Sequence, residues 1–262
     1  MTEGLTVIVP NYNKSEYIER CVKSIEDQIY KPDAVIIVDD ASTDNSRAVI
    51  DSLIKRYPNV RAYYKPENSG VSNTRNVGIS LADTEYITFI DADDYYCNDD
   101  KLKLEMALQK EKGGDIIAYS VVKFIASDGS SSTIKKKRSY YLQGNVRSDI
   151  LITRKWDSIM RDYIVRTATL KECGGYNEAH SLYEDYELLL VLARDHEFYC
   201  TGEFGTAYTE GQGLSSADKK EQARIQDEIV RAELSRDTVS YRMQIMLKRK
   251  FRLLRRKIRN LI

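Results

Sequence analysis

A chain of 262 residues with 31% charged residues, 13 glycines and 4 prolines has the composition of a globular protein, which excludes collagenous, low-complexity and disordered classes. Its 40 Lys and Arg balance 40 Asp and Glu, but unevenly: residues 241–262 hold nine Lys or Arg and no acid. The other 240 residues keep 31 basic against 40 acidic groups, a net of −9, so the body is no nucleic-acid surface and the basic end is expected to have its own partner.

Leu5–Pro10, LTVIVP, is a short β-branched apolar run and predicts a buried strand. SEYIERCVKSIEDQ follows, with Tyr17, Ile18, Cys21, Val22 and Ile25 at helical spacing and Ser15 in the N-cap position. AVIIVDD predicts a second buried strand, STDNSRAVIDSLIKRY a second helix capped by Ser42 or Thr43, and VRAYYK a third strand. GVSNTRNVGISLA reads as a loop entering a helix, and EYITFIDADD as a fourth strand. Strands alternating with helices predict βαβ units and a mainly parallel sheet, and continuous apolar strands predict helices on both of its faces.

After about Glu111 the regularity weakens. GDIIAYSVVKFI reads as one or two strands, and ASDGSSSTIKKKRS as an exposed hairpin tip or mobile loop. SIMRDYIVRTATLKECGGYNE predicts a strand, a short helix and a Gly-Gly turn. YEDYELLLVLARDH predicts a helix whose first-turn acids suit the helix dipole. Beyond Ala217 charged helix formers dominate. The four cysteines show no CxxC spacing and only His180 and His196 accompany them, which argues against a zinc site. No signal-peptide pattern and no spanning apolar run is present, so the expected compartment is the cytosol.

In open parallel α/β sheets, ligands bind beyond the carboxyl ends of the strands. There the sequence gathers Pro10, Asn11, Tyr12 and Asn13 after strand one, Asp39 and Asp40 after strand two, and Asp91, Asp93 and Asp94 after strand four. Three carboxylates in four positions repel one another unless a cation sits among them or some take protons. A hard cation takes one or two carboxylates and completes its shell with phosphate oxygens and water. The set suits a nucleotide diphosphate. No Walker lysine loop and no GxGxxG follows a strand, which disfavours a P-loop enzyme and a dinucleotide dehydrogenase.

Five stretches, TVIVPNYNKSEYIERCVKSI, VDDASTDNS, ENSGVSNTRNVGI, YITFIDADD and CGGYNE…YEDYELLLVLA, occur in this order over roughly residues 4–195. Together they resemble the inverting family 2 glycosyltransferases of the GT-A fold. The resemblance implies that Pro10 and Tyr12 line a base pocket, with Tyr12 stacking on uracil. It implies that Asp40 hydrogen-bonds the base beside Asp39, and that Asn68, Gly70 and Arg75 border the nucleotide. In the DxD motif, Asp91 faces the ribose or sugar, Ala92 lies between, Asp93 takes Mn²⁺ or Mg²⁺, and Asp94 shares either task. Asp185 corresponds to the general base, with Glu184 next to it on the acceptor side.

Two features depart from the family. The histidine that many members carry near the donor phosphates is missing from YTEGQGLSS, leaving Glu210 or Gln212 as stand-ins. The QxxRW motif of processive synthases is absent, which favours transfer of a single sugar. His180, in the loop before Glu184, and Trp156 are further acceptor-side candidates, although a lone Trp more often packs in a core. Neighbouring helical residues point about 100° apart. Leu188, Leu189 and Leu192 lie three, four and seven positions after Asp185, so the spacing predicts Asp185 on the inward stripe and Glu184 rotated off it.

The expectation is an α/β GT-A (Rossmann-like) domain over residues 1–212, its nucleotide-binding half about 1–110 and its acceptor half about 111–212, followed by a basic helical extension over 213–262. The expected activity is metal-dependent transfer of one sugar from a UDP-sugar to a hydroxyl of a cell-surface glycan precursor, free or lipid-linked. Transfer to polyprenyl phosphate and non-catalytic nucleotide-sugar binding stand as alternatives. In the extension, Met243, Met246, Leu247, Phe251, Leu254, Ile258 and Leu261 recur at helical spacing among Lys and Arg. A basic amphipathic helix reads as membrane-surface binding, against a helix packed on its own domain or on a second copy.

Overall fold

The computed structural model describes residues 1–126, 130–131, 141–153, 159, 162–180, 182–209 and 219–259. Four parallel strands, β1 (Thr2–Asn11), β2 (Ala34–Asp39), β3 (Val60–Tyr64) and β4 (Thr84–Phe89), form the main sheet in the order β3-β2-β1-β4. Between them run α1 (Ile18–Glu26), α2 (Ser46–Arg56) and α3 (Val71–Leu81). Strand side chains alternate between faces. Leu5, Val7 and Val9 of β1 join Val35 and Ile37 of β2 in one core, under Cys21 and Val22 of α1 and Ile50 and Leu53 of α2. Ile8, Ile36 and Val38 join the other core with Ile79 of α3. Both faces are covered, which is why these strands read as continuous apolar runs. Helix α3 lies close on β1 at Gly78, where an added Cβ would stand 2.5 Å from the Ile8 Cγ2.

The predicted N-caps are corrected. Helix α1 starts after Tyr17 with no side-chain cap, and the Ser15 N–H instead donates to Asp44 at 3.0 Å. Helix α2 starts after Asn45, because Ser42 and Thr43 are held in the preceding loop by Asp39 and Asn13.

The second half adds β5 (Tyr95–Tyr96), α4 (Lys101–Glu111), β6 (Ile117–Ile125), α5 (Arg147–Ile152), β7 (Val165–Arg166), α6 (Thr167–Glu172), α7 (Glu184–Leu192) and β8 (Phe198–Thr209). Strand β7 closes the main sheet antiparallel to β4, while β5-β8-β6 form a separate three-stranded sheet. Strand β8 was not predicted. Its sequence, FYCTGEFGTAYT, is rich in aromatic residues and threonine, which suit a strand, but Gly202 and Gly205 and the lack of an aliphatic run hide that signal, and pairing with β5 and β6 sets its extent. Under this sheet, buried Lys101 donates to Glu105 at 2.9 Å and to the Asp162 carbonyl at 2.7 Å, anchoring the segment that enters β7. Most of the predicted hairpin tip after Ile125 lies outside the described residues.

Helices α8 (Lys219–Leu234) and α9 (Val239–Arg259) follow. Ile229, Val230, Leu234 and Ile245 share one core with Ile150, Leu188 and Leu192 of the preceding domain. Arg147 bridges Glu233 at 2.8 Å and Asp237 at 2.7 Å, and Arg194 also pairs with Glu233. Burial alone would raise the Glu233 carboxyl, but the hydrogen bonds from Arg194 and Arg147 bring it below its ordinary value. Among the described residues no helix is long and apolar enough to cross a membrane.

Candidate active site

The carboxyl ends of β1, β2 and β4 meet at one rim. The Asn11 amide donates to Asp39 at 2.7 Å and to the Ser42 hydroxyl at 3.1 Å. Asp39 also accepts from the Ser42 N–H and hydroxyl, at 3.0 and 2.6 Å. Asp39 is therefore a buried tie between the loops after β1 and β2. Asp40 shapes the next loop: Oδ1 accepts from Lys65 Nζ at 2.5 Å and from the Ser69 N–H at 2.9 Å, and Oδ2 from the Gly70 N–H at 2.9 Å. A carboxylate offers about four acceptor positions. Three are used, which leaves one on Oδ2 for a donor such as a base N–H. Asn68 donates to the Asp40 carbonyl at 3.3 Å, and Gly70 holds φ 86°, a conformation that favours glycine. Pro10 is buried inside β1 beside Val38, whereas Tyr12 is 45% exposed at the rim, where a base could stack. A shallow polar hollow lined by Asn13, Ser15, Glu16, Tyr17, Thr43 and Asp44 opens between the two loops.

Asp91, Asp93 and Asp94 bring carboxylate oxygens within 4.8 Å of one another. Fixed cations offset part of this charge. Arg75 Nη2 lies 3.0 Å from Asp91 Oδ1, and Lys14 Nζ lies 2.7 Å from Asp93 Oδ2. Asp94 is buried, and its Oδ1 accepts the Thr209 N–H of β8 at 3.1 Å. Burial first, then the Asp94, Asp91 and Asp93 charges, push the Cys21 thiol well up, which reports the negative field beneath the cluster. An all-oxygen set of this kind fits a hard divalent cation. Ala92 is corrected: its side chain is buried in the core with Val9 and Ile90 and does not line the cleft. Lys14, Lys65 and Thr209 carried no sequence signal as site residues, because each acquires its role from a partner at least 25 positions away.

Arg75 links this rim to the start of α7. It is 2% exposed, lies over the Tyr176 ring at 5.1 Å, and reaches Glu184 Oε1 with Nη1 at 2.8 Å while Nη2 holds Asp91. The predicted orientation of the two acids is therefore reversed in burial. Glu184 is buried and ion-paired, and Asp185 is half-buried, its Oδ1 accepting the Tyr186 N–H at 2.7 Å. The cause is the entry into the helix. Tyr183 adopts a left-handed conformation at φ 65°, and a desolvated guanidinium waits for Glu184. Removing one partner of a buried pair leaves the other uncompensated. Arg75→Met is therefore expected to cost roughly 3–5 kcal/mol of stability, checked by urea unfolding. A loss below about 1 kcal/mol would mean that the pair does not hold the rim to α7.

His180 turns toward Glu187, with Nδ1 2.6 Å from its carboxylate, and not toward Glu184. Trp156, Glu210 and Gln212 lie outside the described residues. Arg75 thus ties the carboxylate cluster, through Asp91, to the start of α7, through Glu184.

The family model described as glycosyl transferase family 2 matches residues 6–167. Glycosyltransferase GlyG of Streptococcus pneumoniae is 34% identical over 130 residues, 50% of this chain and 43% of that protein. The teichoic acid poly(glycerol phosphate) polymerase of Staphylococcus epidermidis is 31% identical over 189 residues, 71% of this chain and 25% of that protein. The chain thus spans less than half the length of these curated relatives. The crystal structure of S. aureus TarS 1-349 in complex with UDP-GlcNAc superposes with a TM-score of 0.74 at 22% identity, covering 95% of this chain and 71% of that one, and so shares its fold.

Proposed function

We propose, from the premise that this chain belongs to glycosyl transferase family 2 and has the GT-A fold, that it moves one sugar from a UDP-sugar to a hydroxyl of a cell-surface glycan precursor, with inversion at the anomeric carbon. The observation that carries this reading is the bridge made by Arg75, which ties Asp91 at the nucleotide rim to Glu184 beside Asp185. Tyr12 and the remaining acceptor position on Asp40 receive the base. Asp91 and Arg75 orient the sugar end of the donor, and Asp185 takes the proton from the attacking hydroxyl. Asp93 and Asp94, with Asp91 beside them, would hold Mn²⁺ or Mg²⁺, which when bound neutralises charge on the departing diphosphate. The UDP part of the reading rests on the resemblance of the base-site residues and on the TarS neighbour, solved with UDP-GlcNAc. The acceptor class rests on the teichoic acid relative.

A ligand that binds only the folded state raises its apparent stability, by about 2.7 kcal/mol at a hundred times its Kd. A melting-temperature panel of nucleotide sugars with Mn²⁺ is expected to single out UDP-sugars, followed by UDP release on adding acceptor. Equal shifts with guanosine or thymidine donors would overturn the base assignment. An acceptor carried on a lipid would also bring the enzyme to a membrane face.

A further inference from the structure

Helix α9 turns its more apolar side away from the protein. Its inner side is set by Ile245, which is buried, by Tyr241, whose hydroxyl lies 3.0 Å from that of Ser148, and by two arginines. Arg249 pairs with Asp227 at 2.8 Å and donates to the Leu151 carbonyl, and Arg252 donates to the Ile152 carbonyl at 3.2 Å. Met243 and Leu247 lie about 200° around the helix from Ile245, and Phe251 repeats their spacing. Met243 is 67% exposed, Leu247 55%, Phe251 58%, and Met246 beside them 39%. In the sequence Leu254 and Ile258 continue the stripe. A helix docked only for stability would bury this stripe; α9 exposes it, while half-buried Arg249 and the exposed Arg252 bond to the domain beneath.

Charge identifies what covers it. Residues 241–262 hold nine Lys or Arg and no acid, and Lys248 and Lys250 are exposed beside the stripe. Three acids of α8 are already paired: Asp227 with Arg249, and Glu221 and Glu228 with Arg224. Packing this stripe against its copy in a second chain would bring the exposed Lys248 and Lys250 of both copies together. We infer that the outward face of α9 docks on an anionic lipid surface, with Met243, Leu247 and Phe251 in the headgroup–acyl boundary and the lysines on the lipid charges. Twenty-one helical residues make a rod of about 30 Å, long enough to lie along such a surface.

The test is sedimentation of the full chain with phosphatidylcholine vesicles, with and without one third phosphatidylglycerol. Pelleting is expected with the anionic vesicles only, and to weaken as KCl rises from about 0.1 to 0.5 M. The triple change Met243→Gln, Leu247→Gln, Phe251→Gln is expected to weaken binding at least about tenfold, and Lys248→Gln with Lys250→Gln to weaken it severalfold. Both variants should keep the wild-type melting temperature and the wild-type rate of UDP-sugar hydrolysis, because none of these residues lies in the cleft. The inference is overturned by absence of pelleting, by equal pelleting with neutral vesicles, or by unchanged binding of both variants. A wild-type dimer that the triple change converts to a monomer, without any vesicle binding, would assign the face to a second copy instead. None of these outcomes depends on transfer, so failure here leaves the proposed activity standing.

Discussion

Asp185→Asn is expected to lower transfer to a hydroxyl acceptor by roughly 10²-fold or more, with donor affinity and folding nearly unchanged. A hydroxyl is a poor nucleophile until its proton is taken, and the cleft offers two acids at the start of α7 for that task. The geometry separates them. Glu184 is buried and held at 2.8 Å by Arg75, so its charge is already committed to the guanidinium. Asp185, the next residue, is only half-buried, so its carboxylate keeps a share of solvent-facing surface from which an acceptor hydroxyl can approach. Asn keeps the shape and the bond from the Tyr186 N–H, but it cannot act as a base. Glu184→Gln is expected to reduce transfer less and to act mainly through stability and donor affinity, because it weakens the clamp on Arg75. Initial rates at saturating donor, with Kd for UDP measured separately, distinguish the two. Near-normal transfer by Asp185→Asn would remove it as the base and favour an acceptor that is already ionised, such as a lipid phosphate.

Removal of the divalent cation is expected to abolish transfer, and Asp93→Ala is expected to do so irreversibly. The wild-type enzyme in EDTA should recover with Mn²⁺ or Mg²⁺, whereas the variant should stay down by roughly 10²-fold or more at any metal concentration. The reason lies in how the three carboxylates are shared. Asp91 is engaged by Arg75 and Asp94 by the Thr209 N–H. Among the described residues the half-buried Asp93 carboxylate is met by the flexible side chain of Lys14 at 2.7 Å, so it is the oxygen donor most readily turned to a cation. Calorimetric titration with Mn²⁺ gives a readout independent of turnover: one site in the wild type and none in Asp93→Ala. Full activity in EDTA would sink the metal reading and leave Lys14 and Arg75 as the charges that face the diphosphate.

The first half of this protein is legible because its signals are local. Each of β1 to β4 is an apolar run covered on both faces, each helix between them carries its own stripe, and the carboxylates stand directly after the strands that deliver them. Motifs that resemble the family's mark the same stretches, and they point to Tyr12, Asp40, Asp91, Asp93 and Asp185 without any long-range information. What failed were roles set by partners far along the chain. Ser15 and Ser42 looked like caps until Asp44 and Asp39 claimed them. Strand β8 is interrupted by Gly202 and Gly205, and its extent is fixed by pairing with β5 and β6.

By itself, then, the sequence determined the parallel sheet, the rim of carboxylates and the amphipathic character of α9, since periodicity and strand ends are properties of neighbouring residues. Only the tertiary structure decided that Arg75 binds and buries Glu184 while Asp185 stays half-buried, and that α9 turns Ile245 inward and Met243, Leu247 and Phe251 outward. Helical spacing gives the angle between two side chains but not the direction of zero. That direction is set by what packs against the helix: a buried guanidinium at the start of α7, and the carbonyls ending α5 and Asp227 of α8 beneath α9.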